Sequence, residues 1–254
     1  MKKPNIVFAF ADDWGRYASA YAKHQRANSL NRLLLTPHFD RVAAEGALFL
    51  NAIVPAPSCT PCRSSILAGQ YFWQTGLGAI LMGAQWDESI PTFPLALEAE
   101  AGYFIGHTYK VWSPGMTMNA PMGGTRTAFN PAGYNFNQFS HWVSDHAGEF
   151  GAGEDGIEGA KSALYKETRE NVRAFLQAVP DDKSFCYWWG PTNTHRTWER
   201  GSGKALWNID PDSLAGHLPA FLPDVHDVRE DVADYLGECQ ATDVGLGILI
   251  EELE

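Results

Sequence analysis

The densest chemistry in this 254-residue chain lies in Pro57-Ser58-Cys59-Thr60-Pro61-Cys62-Arg63-Ser64-Ser65-Ile66-Leu67-Ala68-Gly69. Pro61 reads as a first helical residue, and Ser64 to Leu67 continue an ordinary first turn and a half. This sets the Cys59 thiol at a helix N-terminus, where unpaired N–H groups and the helix dipole favour an anion. Arg63 follows four residues later on the same face, where its guanidinium can pair with a tetrahedral oxyanion. A nucleophile, a fixed cation and a helix mouth together describe an anion-handling site. Taken alone, Cys59-x-x-Cys62 also fits a dithiol redox pair or half of a zinc site, although Cys186 and Cys239 are isolated and offer no second pair. A second focus is Asp12-Asp13. Two adjacent carboxylates repel and call for positive compensation, of which a hard cation is the simplest form and a solvated acidic turn the plainer alternative.

The elements that must position these groups follow an α/β grammar. Asn5 to Ala11 is a continuous apolar run, expected as a parallel strand buried on both faces and ending at Asp12-Asp13. In open α/β sheets, ligands bind at the carboxyl ends of strands. Thr36-Pro37 opens a helix over about 38–45 closed by Gly46, and Ala47 to Ile53 reads as the next strand, feeding the Cys59 loop. Residues 92–101 read as a helix with Gly102 as its cap, followed by a strand from Tyr103 to Thr108. Residues 116–153, rich in Gly, Asn, Pro and aromatics, read as an extended surface loop. A helix is expected over about 157–178, a strand over Phe185 to Trp189, and a long helix over 228–254.

Cys-x-Pro-x-Arg followed by Ser-x-x-x-x-Gly resembles the signature of the type I sulfatases. The resemblance implies an alkaline-phosphatase-like sandwich, with a mostly parallel central sheet flanked by helices. It implies that a maturation enzyme oxidises Cys59, and not Cys62, to formylglycine, whose hydrate attacks sulfur and passes through a covalent sulfate. It further implies a calcium ion held by Asp12, Asp13 and the modified Cys59, with Arg63 assisting ionisation of the nucleophile. Lys110 matches the family lysine that contacts the substrate sulfate, and His195, leaving the strand at Phe185 to Trp189, matches a sulfate-binding histidine. The family histidine two residues after the lysine is Trp112 here, so one role is unassigned; His107 is a candidate stand-in, though a strand histidine is more often structural.

The resemblance spans residues 1–254 as the N-terminal catalytic part of such an enzyme. It implies an incomplete calcium site, because the family strand bearing the remaining ligands lies beyond Glu254. From Leu218 onward the layout is most similar to the N-sulfoglucosamine (heparan) sulfohydrolase branch. The expected activity is hydrolysis of sulfate esters or sulfamates, on a sulfated small molecule or glycan. The alternatives are a phosphoesterase of the same superfamily, which carries Thr or Ser at the Cys59 position, and a non-catalytic anion-binding fragment. A net charge of −11 argues against nucleic acid and against a polybasic membrane contact. The opening Met1-Lys2-Lys3-Pro4 lacks a signal-peptide pattern, which fits a cytoplasmic protein or a missing native N-terminus.

Overall fold

The computed structural model describes residues 3–114 and 121–254. The chain divides into two compact units, one of residues 1–12, 51–131 and 171–190, the other of residues 13–50, 132–170 and 191–254.

The first unit is built on a parallel three-stranded sheet of order β1-β3-β2, with β1 Ile6–Ala9, β2 Phe104–Tyr109 and β3 Phe185–Gly190. Every residue of the central β3 is buried, as an apolar strand with neighbours on both sides should be. Its Trp188 ring packs 4.5 Å from Phe8 of β1, and its Tyr187 stacks 4.4 Å from Phe175. Around Trp188 the core gathers Leu67, Tyr103, Ile105, Val111, Trp112 and Met122. Two helices of this unit are α2 Cys59–Ala68 and α3 Phe93–Ala101, each ended by a glycine in the left-handed conformation, Gly69 (φ 65°) and Gly102 (φ 68°). At both caps φ favours a residue without a β-carbon.

The second unit holds α1 Pro37–Glu45, α4 Phe139–Phe150, most of α5 Gly153–Ala178, α6 Ser202–Trp207 and α7 His226–Leu253. Its core joins Leu30, Leu34, Ile209 and Leu214 to Ala233, Leu236 and Cys239 of α7. Buried Asp243 of α7 accepts hydrogen bonds from the backbone N–H groups of His38 (3.1 Å) and Phe39 (2.7 Å), placing a carboxylate at the N-terminus of α1. No helix of the described residues is long and apolar enough to cross a membrane.

Four expectations need correction. Residues 47–53 form no strand: Phe49 and Ile53 are 72% and 90% exposed, and among the described residues no strand pairs with them to satisfy a ladder. β1 is shorter than the apolar run and alternates in burial, with Val7 and Ala9 on a face less covered than the one that carries Ile6 and Phe8. α2 begins at Cys59, two residues before the expected start, since extended Ser58 (φ −155°) already serves as the N-cap and Pro61 fits within the first turn. The expected loop over 116–153, of which 116–120 lie outside the described residues, contains α4. Phe139 and Val143, four apart and fully buried, supply the helical stripe that the surrounding Gly and Asn residues obscured.

Candidate active site

β1 and β2 run parallel, so their carboxyl ends open on one edge of the sheet, and just beyond those ends stand Asp12 and Lys110. The side chains then converge. Lys110 Nζ donates to Asp12 Oδ2 at 2.6 Å, and Arg63 donates through Nη2 to Asp12 Oδ1 at 2.9 Å. Cys59 Sγ lies 3.6 Å from the same Oδ2 that Lys110 engages. The sheet edge and the N-terminal turn of α2 thus gather Cys59, Asp12, Arg63 and Lys110 around one carboxylate.

Burial explains the electrostatics. Asp12 is 5% exposed, and desolvation alone would raise its pKa. The adjacent Arg63 and Lys110 outweigh that and hold the carboxyl below its ordinary range, so it is charged at neutral pH. Arg63 is 1% exposed, lies over the Phe10 ring at 4.9 Å, and donates through Nη1 to the Lys110 and Val111 carbonyls at 3.0 and 3.1 Å. Its role is therefore double: it neutralises Asp12 and fixes the backbone that carries Lys110.

The turn bearing Lys110 is held unusually tightly. Tyr109 adopts φ 65°, a left-handed conformation that costs a bulky residue about 1–2 kcal/mol. Its backbone N–H is held by Asn130 Oδ1 at 2.9 Å. The Lys110 carbonyl also accepts from Trp188 Nε1 at 3.1 Å, and its N–H donates to the Gly190 carbonyl at 2.8 Å. Gly190 is a true packing requirement, because a β-carbon there would sit 1.8 Å from the Lys110 carbonyl oxygen.

Cys62 lies on the same helix but is buried, and burial pushes its thiol pKa up. Cys59 is the more accessible of the two. All four cysteines are free, and Cys186 and Cys239 are both buried in hydrophobic cores, so neither accompanies Cys59 and Cys62 as a zinc-ligand pair.

Trp112 is 3% exposed and donates through Nε1 to Ser64 Oγ at 2.8 Å, bracing α2 from within the core. His107 is also turned to structure. Its Nδ1 lies 3.2 Å from Thr127 Oγ1, and burial lowers its pKa to about 4. Neither offers a charged donor in place of the family histidine.

In the second unit, Asp13 takes a left-handed φ of 58°, a conformation tolerated by Asp, and its carboxylate lies 3.8 Å from His195 Nε2. The other ring nitrogen of His195 is 2.5 Å from the Arg196 carbonyl, which fixes Nδ1 as the donor. Both side chains are about half exposed, so each is open to further partners.

Sequence reasoning missed Gly190, Trp188 and Asn130 as supports of the lysine turn. The glycine closing an otherwise bulky aromatic strand was the available signal for the first.

A sequence model of the family described as Sulfatase matches residues 4–254. Among curated proteins, the chain is 35% identical to an N-acetylgalactosamine-6-O-sulfatase of Bacteroides thetaiotaomicron over 128 residues, covering 49% of this chain and 22% of that protein. It is 27% identical to an N-acetylglucosamine-6-O-sulfatase of the same organism over 207 residues, 78% of this chain and 32% of that one. A rat steryl-sulfatase is 32% identical over 146 residues, 54% of this chain and 23% of the other. The chain thus spans about a third or less of these relatives. A solved structure described under the metabolism of multiple glycosaminoglycans by Bacteroides thetaiotaomicron superposes with a TM-score of 0.65 at 17% identity, over 99% of this chain and 58% of its own. That likeness identifies the fold as the alkaline-phosphatase-like α/β arrangement. With the profile match running through nearly its whole length, the chain belongs to the sulfatase family.

Proposed function

We propose that this chain is the nucleophile-bearing part of a hydrolase that cleaves sulfate esters of a sugar, after a formylglycine-generating enzyme has matured Cys59. The convergence of Cys59, Arg63 and Lys110 on the Asp12 carboxylate carries this reading. The choice of a sugar follows two of the curated relatives, named as 6-O-sulfatases of N-acetylhexosamines, while a third is named a steryl-sulfatase.

Each side chain has a defined task. Lys110 turns from Asp12 to a sulfate oxygen and offsets charge as it develops at sulfur. Arg63, with its guanidinium fixed by two carbonyls and Asp12, keeps the field positive at the α2 N-terminus, where the nucleophile loses its proton. His195, with Nδ1 tied to the Arg196 carbonyl, would meet a second sulfate oxygen through a protonated Nε2, the nitrogen that lies 3.8 Å from the Asp13 carboxylate.

Calcium fits the available donors. Asp12 is held ionised, Asp13 is exposed, and maturation would replace the soft Cys59 sulfur by the oxygen a hard cation prefers. Asp12, Asp13 and the matured Cys59 would hold the ion, which would supply fixed positive charge beside the nucleophile. The charge of Asp12 is already offset by Arg63 and Lys110, so the proposal rests on donor chemistry and not on unbalanced charge.

The test is release of sulfate from an aryl sulfate and from a sulfated N-acetylhexosamine by the matured protein, with calcium added and then chelated. Turnover that needs both maturation and calcium supports the reading. Equal turnover by Cys59→Ala would exclude it.

A further inference from the structure

The loop that follows β3 carries Asn193, Thr194 and His195, and its anchors lie on α7 and beside α4. Asn193 is 2% exposed. Its Nδ2 donates to both the side chain (Oε2) and the backbone carbonyl of Glu238 on α7, each at 2.9 Å. Its Oδ1 accepts from Thr242 Oγ1, one turn further along α7, at 3.0 Å. The other Glu238 oxygen, Oε1, accepts from the Ser140 N–H in the first turn of α4 at 3.1 Å. Two residues before His195, then, a buried carboxylate clamps the loop to α7 and α4 together. Thr192 adds a tether through its N–H to Asn137 Oδ1 at 2.9 Å, and the His195 N–H closes a turn onto the Thr192 carbonyl at 2.9 Å.

We propose that Glu238 is a positioning residue for His195, setting the height and direction of the imidazole through Asn193 and doing so best as a carboxylate. This rests on the reading above that His195 binds the sulfate. The physical asymmetry is simple. Glu238 faces three donors, the N–H and hydroxyl of Ser140 and the Asn193 amide, and an ionised carboxylate can accept from all of them. A protonated acid must present its O–H to one of them, so that bond is lost and the clamp opens on one side.

The charge state is finely balanced. Complete burial pushes the Glu238 carboxyl up to about 7, against the lowering effect of Ser140, Asn193 and His141. The titratable groups that face it are His141 on α4, Tyr165 on α5 and Cys239 beside it on α7; Tyr165 and Cys239 are themselves shifted upward by burial and by Glu238. Neither is ionised near neutrality, and positive charge on His141 favours the ionised clamp.

The experiment uses the matured protein and three variants: Glu238→Gln, Thr242→Val and His195→Ala. The first readout is the Asn193 side-chain amide resonance followed by NMR through a pH range centred on about 7. It should titrate in the wild type and stay flat in Glu238→Gln, which holds the shape of the protonated acid. The second is KM and kcat for an aryl sulfate across the same range. Wild-type KM should carry an inflection that Glu238→Gln lacks, and the variant should sit about fivefold higher on the alkaline side, with kcat changed less. Thr242→Val, which weakens the Asn193 anchor but leaves the acid, should raise KM and keep the inflection. An Asn193 resonance indifferent to pH, together with wild-type KM values in Glu238→Gln, would overturn the proposal. If instead His195→Ala leaves KM and kcat unchanged while Asn193 still titrates with Glu238, the clamp stands and the sulfate-binding role of His195 falls.

Discussion

Lys110 Nζ lies 2.6 Å from Asp12 Oδ2, joining the residue beyond one strand to the residue beyond another across 98 positions of sequence. Cys59 Sγ approaches the same oxygen at 3.6 Å. A single carboxylate thereby holds both the nucleophile position and the lysine that would meet the sulfate. Replacing Lys110 by Met keeps most of the side-chain volume and removes the cation. Turnover of an aryl sulfate should fall about 100-fold or more, chiefly in kcat, with a smaller loss of stability than in Asp12→Asn because Arg63 still compensates the carboxylate. Retention of wild-type kcat would place the lysine outside the reaction.

Asp12→Asn should act on stability first. It leaves the Arg63 guanidinium, 1% exposed, without its counter-charge, and breaking a buried pair in this way costs about 3–5 kcal/mol. Urea unfolding of the two proteins measures it directly.

The same carboxylate predicts an acid dependence. Its folded pKa lies below the ordinary value of 3.8, so its contribution is fully present above that value and is lost as pH falls through the depressed one. Wild type should lose stability along that acid limb, and Asp12→Asn should lose less over the same span. Parallel curves for the two proteins would show that Asp12 is not held ionised by its partners.

Gly190→Ala tests the support of the lysine turn. The added β-carbon would meet the Lys110 carbonyl at 1.8 Å, so the turn must shift or β3 must open. Activity per folded molecule should fall even where the protein still melts cooperatively, which calorimetry beside a sulfate-release assay can separate.

Much of this arrangement was legible from sequence, and the reasons are local. β3 announced itself by the unbroken Phe185 to Trp189 run, and α3 by Gly102, whose left-handed φ the chain requires. Cys59 and Arg63 were readable because a helix start fixes their mutual geometry over a single turn. What escaped were relationships between distant segments. Residues 47–53 have strand-like composition but no described partner strand, and periodicity alone cannot report a missing partner. α4 was hidden by its Gly- and Asn-rich approach. The direct pairing of Asp12 with both Arg63 and Lys110 depends on two strand ends meeting a helix that no local pattern connects. The clamp of Asn193 by Glu238 is equally non-local, since a glutamate within a long helix reads as solvated until its burial is seen.

The central claim is that Cys59 becomes the nucleophile, and peptide mapping by mass spectrometry after co-expression with a formylglycine-generating enzyme tests it most directly. Cys59 is the more accessible thiol at the first turn of α2, while Cys62 is buried with a raised pKa. The account predicts the mass change of CH2–SH becoming an aldehyde at Cys59, none at Cys62, and sulfate release rising in proportion to the converted fraction. Aldehyde at Cys62, or none at either position under conditions that convert a control sulfatase, would contradict it.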